Sequence, residues 1–419
     1  MIKYGYQKFY IFGGLAIIVV ALLIYFLFLN KGIVNITVSP KDAKVLINIV
    51  PQIVNNSGIS KSSHLAGKYT LRVEANGYIP FTSQITLKGG GTFTKAIDLK
   101  PLPKLTTLDE NIVLAQKYGD NQVAYLGDNK AALYTTSAKI NNQNQAEVDS
   151  IKVMTPTVFS NVDQMNFSPD KQLALVKIGT DLDLYDFNRY DIIHQEIRKI
   201  ASNVGDAIWA PDQSRIAYFY APLTGERSLI FADILNQNPE RIVSLPDMSN
   251  PILRWNSTGD QILIIPRNTN SAQNKVYIFD VYNRQLNTLS DFGDVLDAKF
   301  IDNDSKILYF TSTNDPKNPI KSEVSVMDID GKNKKNLNIK AYSDQTYIQD
   351  GSKILFQSYI SGSNTIMVLD YSNQSMTRLY FDQPTVFKVN NLMLSSEGKI
   401  VYISANGNLY ATAYGDNQY

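Results

Sequence analysis

The sequence contains no cysteine and only two histidines, His64 and His194, among its 419 residues. Without cysteine there is no disulfide, thiolate zinc site, iron–sulfur cluster or cysteine nucleophile. Two histidines exclude most histidine-dependent catalysis and the metal sites that need several imidazoles. The composition therefore removes whole classes of enzyme and metalloprotein, and we expect no cofactor.

An excess of charge of one sign is also lacking. Lys plus Arg number 40 and Asp plus Glu number 39, which leaves a net charge of +1. A nucleic-acid binder has to neutralise phosphates with clustered basic residues, so we expect no nucleic-acid partner. Hydrophobic residues make up 44% of the chain. A chain of this length and apolarity can bury a large core, divided between two or three folded units.

The segment from Phe9 to Asn30 carries no charge over 22 residues. At about 1.5 Å rise per residue it would reach roughly 33 Å, enough to cross a hydrocarbon core of about 30 Å. Residues 9–30 therefore predict a transmembrane helix, with the membrane as a partner. Lys3 and Lys8 place positive charge on the short side, so residues 1–8 are expected in the cytoplasm.

The alternative for this segment is a cleaved secretory signal, which needs a shorter apolar region and small residues at the cleavage site. The run ends in the bulky residues Phe26, Leu27, Phe28 and Leu29 instead. We therefore expect an uncleaved signal anchor in the cell membrane, crossing it once, with the bulk of the chain extracytoplasmic.

Residues 33–100 alternate apolar and polar side chains with a period of two, which is typical of half-buried strands. Glycine, proline and asparagine separate five such segments, and together they predict a small β-sandwich-like domain. The five predicted strands are Val34–Val38, Lys44–Ile49, Tyr69–Ala75, Phe81–Leu87 and Thr92–Leu99.

Two motifs in this domain are familiar: Val-Ser-Pro-x-x-Ala-x-Val from Val38, and Leu-Ala-Gly-Lys-Tyr-x-Leu-x-Val-x-Ala-x-Gly-Tyr from Leu65 to Tyr78. The domain resembles the PEGA domain, although Asp42 stands where that family has glycine. The resemblance implies a surface-associated spacer or adhesion module of bacterial and archaeal envelopes, without catalytic residues. Residues 101–103, Pro-Leu-Pro, predict a short, stiff linker.

Residues 104–419 repeat one phrase, an aromatic residue followed by a turn and a β-branched or aromatic strand. The repeats begin at Phe167, Trp209, Trp255, Phe300, Tyr347 and Met393, with spacings of 42, 46, 45, 47 and 46 residues. A weaker copy at 113–125 precedes them. A β repeat of this period is typical of propeller blades, so residues 104–419 predict a seven-bladed β-propeller and the fold class is all-β apart from the N-terminal helix.

The last repeat supplies only three strands before the chain ends, and Lys104–Leu108 is a β segment that could complete its blade and close the ring. The phrase aromatic-Ser-Pro-Asp, strictest at Phe167 and Trp209, resembles the WD40-like repeat of TolB-type propellers. The aromatic rings are expected to pack between blades, and the aspartates to bind the backbone of their own turns.

Motifs for catalysis are missing. There is no Gly-x-Ser-x-Gly, and we expect no catalytic role for His64 or His194, so catalytic residues are predicted to be none. Oxygen ligands for Ca²⁺ could come from Asp181 with Asp183, Asp302 with Asp304, or Asp328 with Asp330. None has a complete calcium loop, so turn chemistry is the favoured interpretation and no metal site is predicted.

The sequence thus predicts a non-catalytic binding or scaffolding protein of the cell envelope, with a protein or glycan partner. The longest blade loops carry Arg227, Arg267 and Lys317, which are the candidate partner-binding residues. The rival hypothesis is an extracytoplasmic enzyme that acts on a glycan or peptide with carboxylates near the central channel. Clustered acids with perturbed pKa values in that channel would favour the enzyme.

Overall fold

Two compact units make up the chain, and the boundary between them falls between Leu102 and Pro103, inside the predicted linker. The computed structural model describes residues 15–20, 30–127, 132–155, 161–179, 185–268, 274–289, 294–313, 322–342, 347–349, 352–360, 362–383 and 389–414. All statements below concern these residues.

The transmembrane helix predicted over residues 9–30 is contradicted. Of the predicted span, residues 15–20 are helical, and no helix in the described chain is long and apolar enough to cross a membrane. Hydropathy reports residue type and not the length of a helix; residues 9–14 and 21–29 lie outside the described part of the chain.

The first unit contains two sheets, with strand orders β4-β1-β7 and β3-β2-β5-β6. Its strands are β1 (Lys31–Ser39), β2 (Lys44–Ile47), β3 (Val50–Gln52), β4 (Ile59–Leu65), β5 (Gly67–Glu74), β6 (Phe81–Leu87) and β7 (Thr92–Asp98). β1 pairs with β4 antiparallel and with β7 parallel. The alternating side chains of β1 and β5, among them Val34, Ile36, Leu71 and Val73, form the core between the sheets.

The prediction of five strands in this unit missed β3 and β4. β4 reads Ile-Ser-Lys-Ser-Ser-His-Leu and buries little apart from Ser60, so it has almost no apolar pattern. The strand predicted over Lys44–Ile49 ends at Ile47, because Asn48 and Ile49 adopt left-handed backbone angles, with φ of 46° and 66°. These two residues form the turn into β3, and Ile49 is 90% exposed at its tip.

The second unit is a ring of seven four-stranded blades within the described residues. The ring opens with β8 (Thr106–Glu110), which belongs to the last blade. Blades 1 to 3 consist of β9 (Ile112–Lys117), β10 (Gln122–Gly127), β11 (Leu133–Ile140), β12 (Ala146–Thr155), β13 (Val162–Phe167), β14 (Leu173–Gly179), β15 (Tyr185–Asp191), β16 (Glu196–Trp209), β17 (Ile216–Tyr220), β18 (Ser228–Ala232) and β19 (Glu240–Ser244).

Blades 4 to 7 follow in the same order. They consist of β20 (Ile252–Trp255), β21 (Gln261–Ile265), β22 (Tyr277–Asp280), β23 (Gln285–Thr288), β24 (Val295–Ile301), β25 (Lys306–Ser312), β26 (Ser322–Asp328), β27 (Lys335–Lys340), β28 (Tyr347–Gln349), β29 (Lys353–Ile360), β30 (Ser363–Asp370), β31 (Ser375–Arg378), β32 (Val389–Leu394), β33 (Ile400–Ala405) and β34 (Asn408–Ala413), joined by β8.

Blades 2 and 3 share the long strand β16. Its first part pairs with β15 and its second part with β17, and the two registers meet at Val204. Asn203 has a φ of 59° there, which turns the chain from the outer edge of blade 2 to the first strand of blade 3. First strands of neighbouring blades contact each other, as β16 does with β20 and β32 with β9, so they are the inner strands of the ring.

Seven clusters of buried side chains lie in the described ring, one between each pair of neighbouring blades. The repeat aromatics take part, as predicted: Trp209 packs between blades 2 and 3, and Phe167 packs edge-on against Tyr118 of blade 1, with ring centroids 4.8 Å apart. Both faces of every blade are therefore covered by its neighbours.

The predicted closure of the ring is confirmed. β8 pairs antiparallel with β34 as the fourth strand of blade 7, beginning two residues later than the predicted segment Lys104–Leu108. Leu108 is buried with Tyr125 of blade 1 and Tyr402 of blade 7. The first strand of the unit thus completes its last blade, and the sheet edge of β34 is covered.

This arrangement predicts the effect of replacing Leu108 by alanine. Leu108→Ala should lower the free energy of unfolding by about 2–5 kcal/mol, the usual cost of a cavity in a packed core. The loss should appear in one cooperative transition of the whole ring, followed by circular dichroism in urea. Val113→Ala is the control, because Val113 is 55% exposed. A separate early transition, or equal losses in both variants, would contradict closure as the source of stability.

Candidate functional site

The turns that follow the inner strands of blades 2 and 3 fold alike. The backbone N–H of Ser168 donates to the carbonyl of Leu173, and that of Ala210 donates to Arg215. The aspartates bind these turns as predicted: Asp170 accepts from the N–H of Gln172, and Asp212 accepts from the N–H of Ser214, both at 3.0 Å. The hydrogen bond from the Ser214 N–H lowers the pKa of the Asp212 carboxyl. The repeat aspartates are thus structural.

A cavity of about 700 Å³ lies along the inner strands of blades 2 to 5. β13, β16 and β20 form most of its wall, and apolar contacts come from Phe167, Ile208 and Ile252. Seven charged residues line it: Asp163, Lys171, Lys177, Asp206, Arg254, Arg267 and Asp297. This volume is within the range of ligand-binding pockets.

Asp206 is a buried acid in the wall of the cavity. One carboxylate oxygen accepts from the N–H of Ala207 at 2.9 Å, and the other accepts from the N–H of Leu253 in blade 4 at 2.8 Å. Burial raises the pKa of the Asp206 carboxyl, although the Leu253 amide and the charges of Lys177 and Arg254 act in the opposite direction. Asp206 therefore joins the inner strands of blades 3 and 4.

Asp297 has the same position in blade 5 that Asp206 has in blade 3. Each stands three residues before the repeat aromatic and accepts from the N–H of the alanine that follows it. The Arg254 guanidinium donates to both oxygens of Asp297, with distances of 2.9–3.2 Å. The Lys299 ammonium lies 3.6 Å away. This ion pair joins the inner strands of blades 4 and 5.

The other cations of the cavity differ in their contacts. The Lys177 ammonium lies 3.2 Å from an Asp163 oxygen and 3.6 Å from the centroid of the Tyr185 ring. Lys171 and Arg267 form no side-chain hydrogen bond or ion pair with the described residues, although the Asp170 charge acts on Lys171. Burial lowers the pKa of the Lys171 ammonium. The cavity therefore contains both paired and unpaired cations.

Two of the predicted contact residues, Arg227 and Arg267, follow the second strand of a blade, and so belong to loops at one end of the ring. Arg267 lines the cavity, as the prediction requires of a contact residue. The Arg227 guanidinium instead donates to the carbonyl of Met248 at 2.9 Å and fixes the neighbouring loop. Lys317 lies outside the described residues.

The histidines lie in local contacts. The His64 ring nitrogen is 2.9 Å from the Ser62 hydroxyl, and a His194 ring nitrogen is 3.0 Å from an Asp191 oxygen. Neither residue lines the cavity of blades 2 to 5.

Three of the aspartates considered as calcium ligands contact other groups of the protein. Asp304 accepts from the N–H of Ser257 at 2.7 Å, Asp328 pairs with Lys306, and Asp330 pairs with Lys332. Asp181 and Asp183 lie outside the described residues, and among those described no group of three His, Asp or Glu side chains could hold a metal ion.

The sequence prediction missed Asp206, Arg254 and Lys177. A signal existed for the first: Asp-Ala-x-aromatic occurs at Asp206 and again at Asp297. The pairing of Arg254 with Asp297 across 43 residues needs the register between blades, which no local motif supplies.

Comparisons with known proteins bear on the two units separately. Residues 31–103 match the PEGA domain family, so the resemblance seen in the first unit is confirmed. No curated protein is similar to the chain in sequence.

The solved structures that are similar to the chain in fold include the following three. A chain of the mitotic checkpoint complex matches with a TM-score of 0.50 and 16% identity, over 75% of this chain and 92% of that one. The tricorn protease matches at 0.49 and 10%, over 88% of this chain, which spans 40% of the length of that protein. TolB from Acinetobacter baumannii matches at 0.40 and 13%, over 72% and 78%. At these identities the likeness concerns the fold alone.

The ion pair between Arg254 and Asp297 leads to a prediction about stability. Arg254→Gln leaves a carboxylate whose side chain is 4% exposed with Lys299 as its remaining cation. We expect a loss of about 2 kcal/mol in urea unfolding, less than for a fully buried pair because Arg254 is 35% exposed. Arg241→Gln breaks an exposed pair with Glu226 and should cost less than about 1 kcal/mol. Equal losses of unfolding free energy in the two variants would show that the pair of Arg254 with Asp297 contributes no more to stability than an exposed pair.

The burial of Asp206 leads to a prediction about pH. Its pKa in the folded chain is raised above the ordinary 3.8, so from about pH 4 upward the unfolded chain loses this proton first. The wild type should therefore lose stability with rising pH relative to Asp206→Asn, by at most about 1.4 kcal/mol per pH unit for one proton. Urea unfolding of both proteins from pH 4 to pH 7 measures this difference. Asp247→Asn, at an exposed position, is the control. If the difference in free energy of unfolding between wild type and Asp206→Asn stays constant with pH, the prediction is wrong.

Proposed function

We propose that this chain is a non-catalytic binding protein, and that the propeller presents its partner site at the end of the ring where the inner strands begin. The mouth of the cavity at that end contains Gly205, Asn250 and Arg267. The backbone N–H of Arg267 donates to the carbonyl of Ser249, which holds this loop against the start of β20. A rigid rim around a cavity is suited to capturing a partner segment.

The observation that carries this proposal is the engagement of the buried acids. Both oxygens of Asp206 accept backbone N–H groups, and both oxygens of Asp297 accept the Arg254 guanidinium. A general acid or nucleophile needs a carboxyl group that can reach the substrate. These two carboxyls hold neighbouring blades together instead, which favours binding over turnover.

The second candidate is an enzyme acting on a glycan or peptide in the cavity. One observation favours it: Asp206 lines the cavity and its pKa is raised by burial, as in a general acid. A two-carboxylate mechanism would also require a second acid facing the same bond. Asp163, which is exposed beside Lys177, is the candidate for that role.

The partner class and the location remain predictions from the sequence. We propose a protein or glycan of the cell envelope as the partner, with the propeller outside the cytoplasm. The PEGA match supports this proposal only through the association of that domain family with cell surfaces.

Two measurements on the purified full chain test the function. Assays with peptide, glycan and phosphoester substrates should give no turnover, and turnover that disappears in Asp206→Asn would establish the enzyme instead. Affinity purification from an envelope extract should recover a partner, with recovery reduced about fivefold or more in Arg267→Gln, the loss of about 1 kcal/mol expected for one charged contact.

Lys152→Gln is the matched control for the purification, because Lys152 is exposed on the outer strand of blade 1. Equal recovery by the wild type and both variants would argue against the cavity mouth as the partner site.

A further inference from the structure

We propose that the cavity of blades 2 to 5 binds an extended acidic peptide segment of a protein partner, with carboxylates of the peptide at Arg267 and at Lys171. This inference rests on the proposed binding function and adds the chemistry of the partner. The two cations lie on the wall of the same cavity and have no ion pair within the described residues.

The pairing of the remaining charges leaves the cavity short of anions. Lys177 is paired with Asp163, and Arg254 with Asp297. Asp206 uses both oxygens for backbone N–H groups. Among the described residues, the cations without an ion pair therefore outnumber the carboxylates that could still pair with them, and a ligand with carboxylates would complete the set.

The positions of the two cations require an elongated ligand. Arg267 lies two residues beyond the end of β21 and beside the start of β20, because its N–H donates to Ser249. Lys171 lies in the turn that follows β13, where the inner strand ends. An inner strand of six residues is roughly 20 Å long at about 3.3 Å per residue, so one small anion cannot contact both cations.

A peptide fits the remaining wall better than other polyanions. Asn250 and Gln164 line the cavity, and a side-chain amide can both donate to and accept from a peptide backbone. A sugar ring would be expected to stack on an exposed aromatic face, whereas Trp209 is only 8% exposed and donates its N–H to Asn166. A nucleic acid would need more unpaired cations than two.

The test uses fluorescein-labelled hexaglutamate as the probe and the full chain as the receptor. Fluorescence anisotropy should show saturable binding at about 20 mM salt that weakens at about 300 mM, because the contacts are charged and partly exposed. Lys171→Gln and Arg267→Gln should each weaken binding about tenfold, which corresponds to about 1.4 kcal/mol. Lys152→Gln, with the same loss of charge on an outer strand, should leave binding unchanged.

Three comparison ligands separate the sources of carboxylate and charge. Labelled hexalysine should not bind, and millimolar inorganic phosphate should not displace hexaglutamate. Oligogalacturonate should bind at least tenfold more weakly than hexaglutamate. Equal or tighter binding of oligogalacturonate would replace the peptide by an acidic glycan, and displacement by phosphate would reduce the site to a simple anion site.

The outcomes also separate this inference from the proposed function. If hexaglutamate binds equally to wild type and to the double variant Lys171→Gln/Arg267→Gln, the acidic-peptide site is wrong. If hexaglutamate does not bind but recovery of the envelope partner depends on Arg267, the binding function stands and only the peptide chemistry fails. If neither hexaglutamate binding nor recovery of the envelope partner depends on Arg267, the acidic-peptide site and the proposed partner site both fail. Unchanged urea midpoints in the single variants exclude misfolding as the cause.

Discussion

The pairing of β8 with β34 places the two ends of the second unit in a single sheet. A four-stranded sheet has two apolar faces and cannot bury both of them alone. In this ring each face packs on the next blade, so the seven clusters between blades follow one another around the ring. The core closes only because the first strand of the unit returns to its last blade.

The charged contacts of the cavity, like the pairing of β8 with β34, join parts of the ring that are distant in sequence. Asp206 links blade 3 to blade 4 through the Leu253 N–H, and Arg254 links blade 4 to blade 5 through Asp297. They are inter-blade contacts made by polar groups on the inner strands. The shape of the cavity therefore depends on the same packing that stabilises the ring.

Features that repeat along the chain could be predicted, and features that need distant partners could not. The spacing of Phe167, Trp209 and Trp255 predicts the blades because each aromatic and its turn fold locally. β4 was missed because a polar edge strand has no apolar alternation. The N-terminal prediction of a transmembrane helix was wrong, since no helix in the described part of the chain is long and apolar enough to cross a membrane.

The same limit applies to the site. The loop position of Arg267 could be predicted from the sequence, although its contact with a partner stays a prediction. The role of Arg254, in contrast, follows only from its contact with Asp297 in the next blade. Arg227 lies in the corresponding loop of blade 3 but binds the carbonyl of Met248. The sequence can thus identify cations in loops, but not which of them form hydrogen bonds or ion pairs within the protein.

This distinction explains how a chain with a net charge of only +1 can present a selective site. Overall charge sets long-range attraction, which is weak here, while local recognition depends on charges left unpaired where water is partly excluded. In the cavity, Arg254 and Lys177 are neutralised by Asp297 and Asp163, so they shape the wall without attracting a ligand strongly. Selectivity then rests on Lys171 and Arg267, which have no ion pair within the described residues. Only a ligand that presents its negative charges at the spacing of these two cations forms ion pairs that offset the hydration lost on entering the cavity.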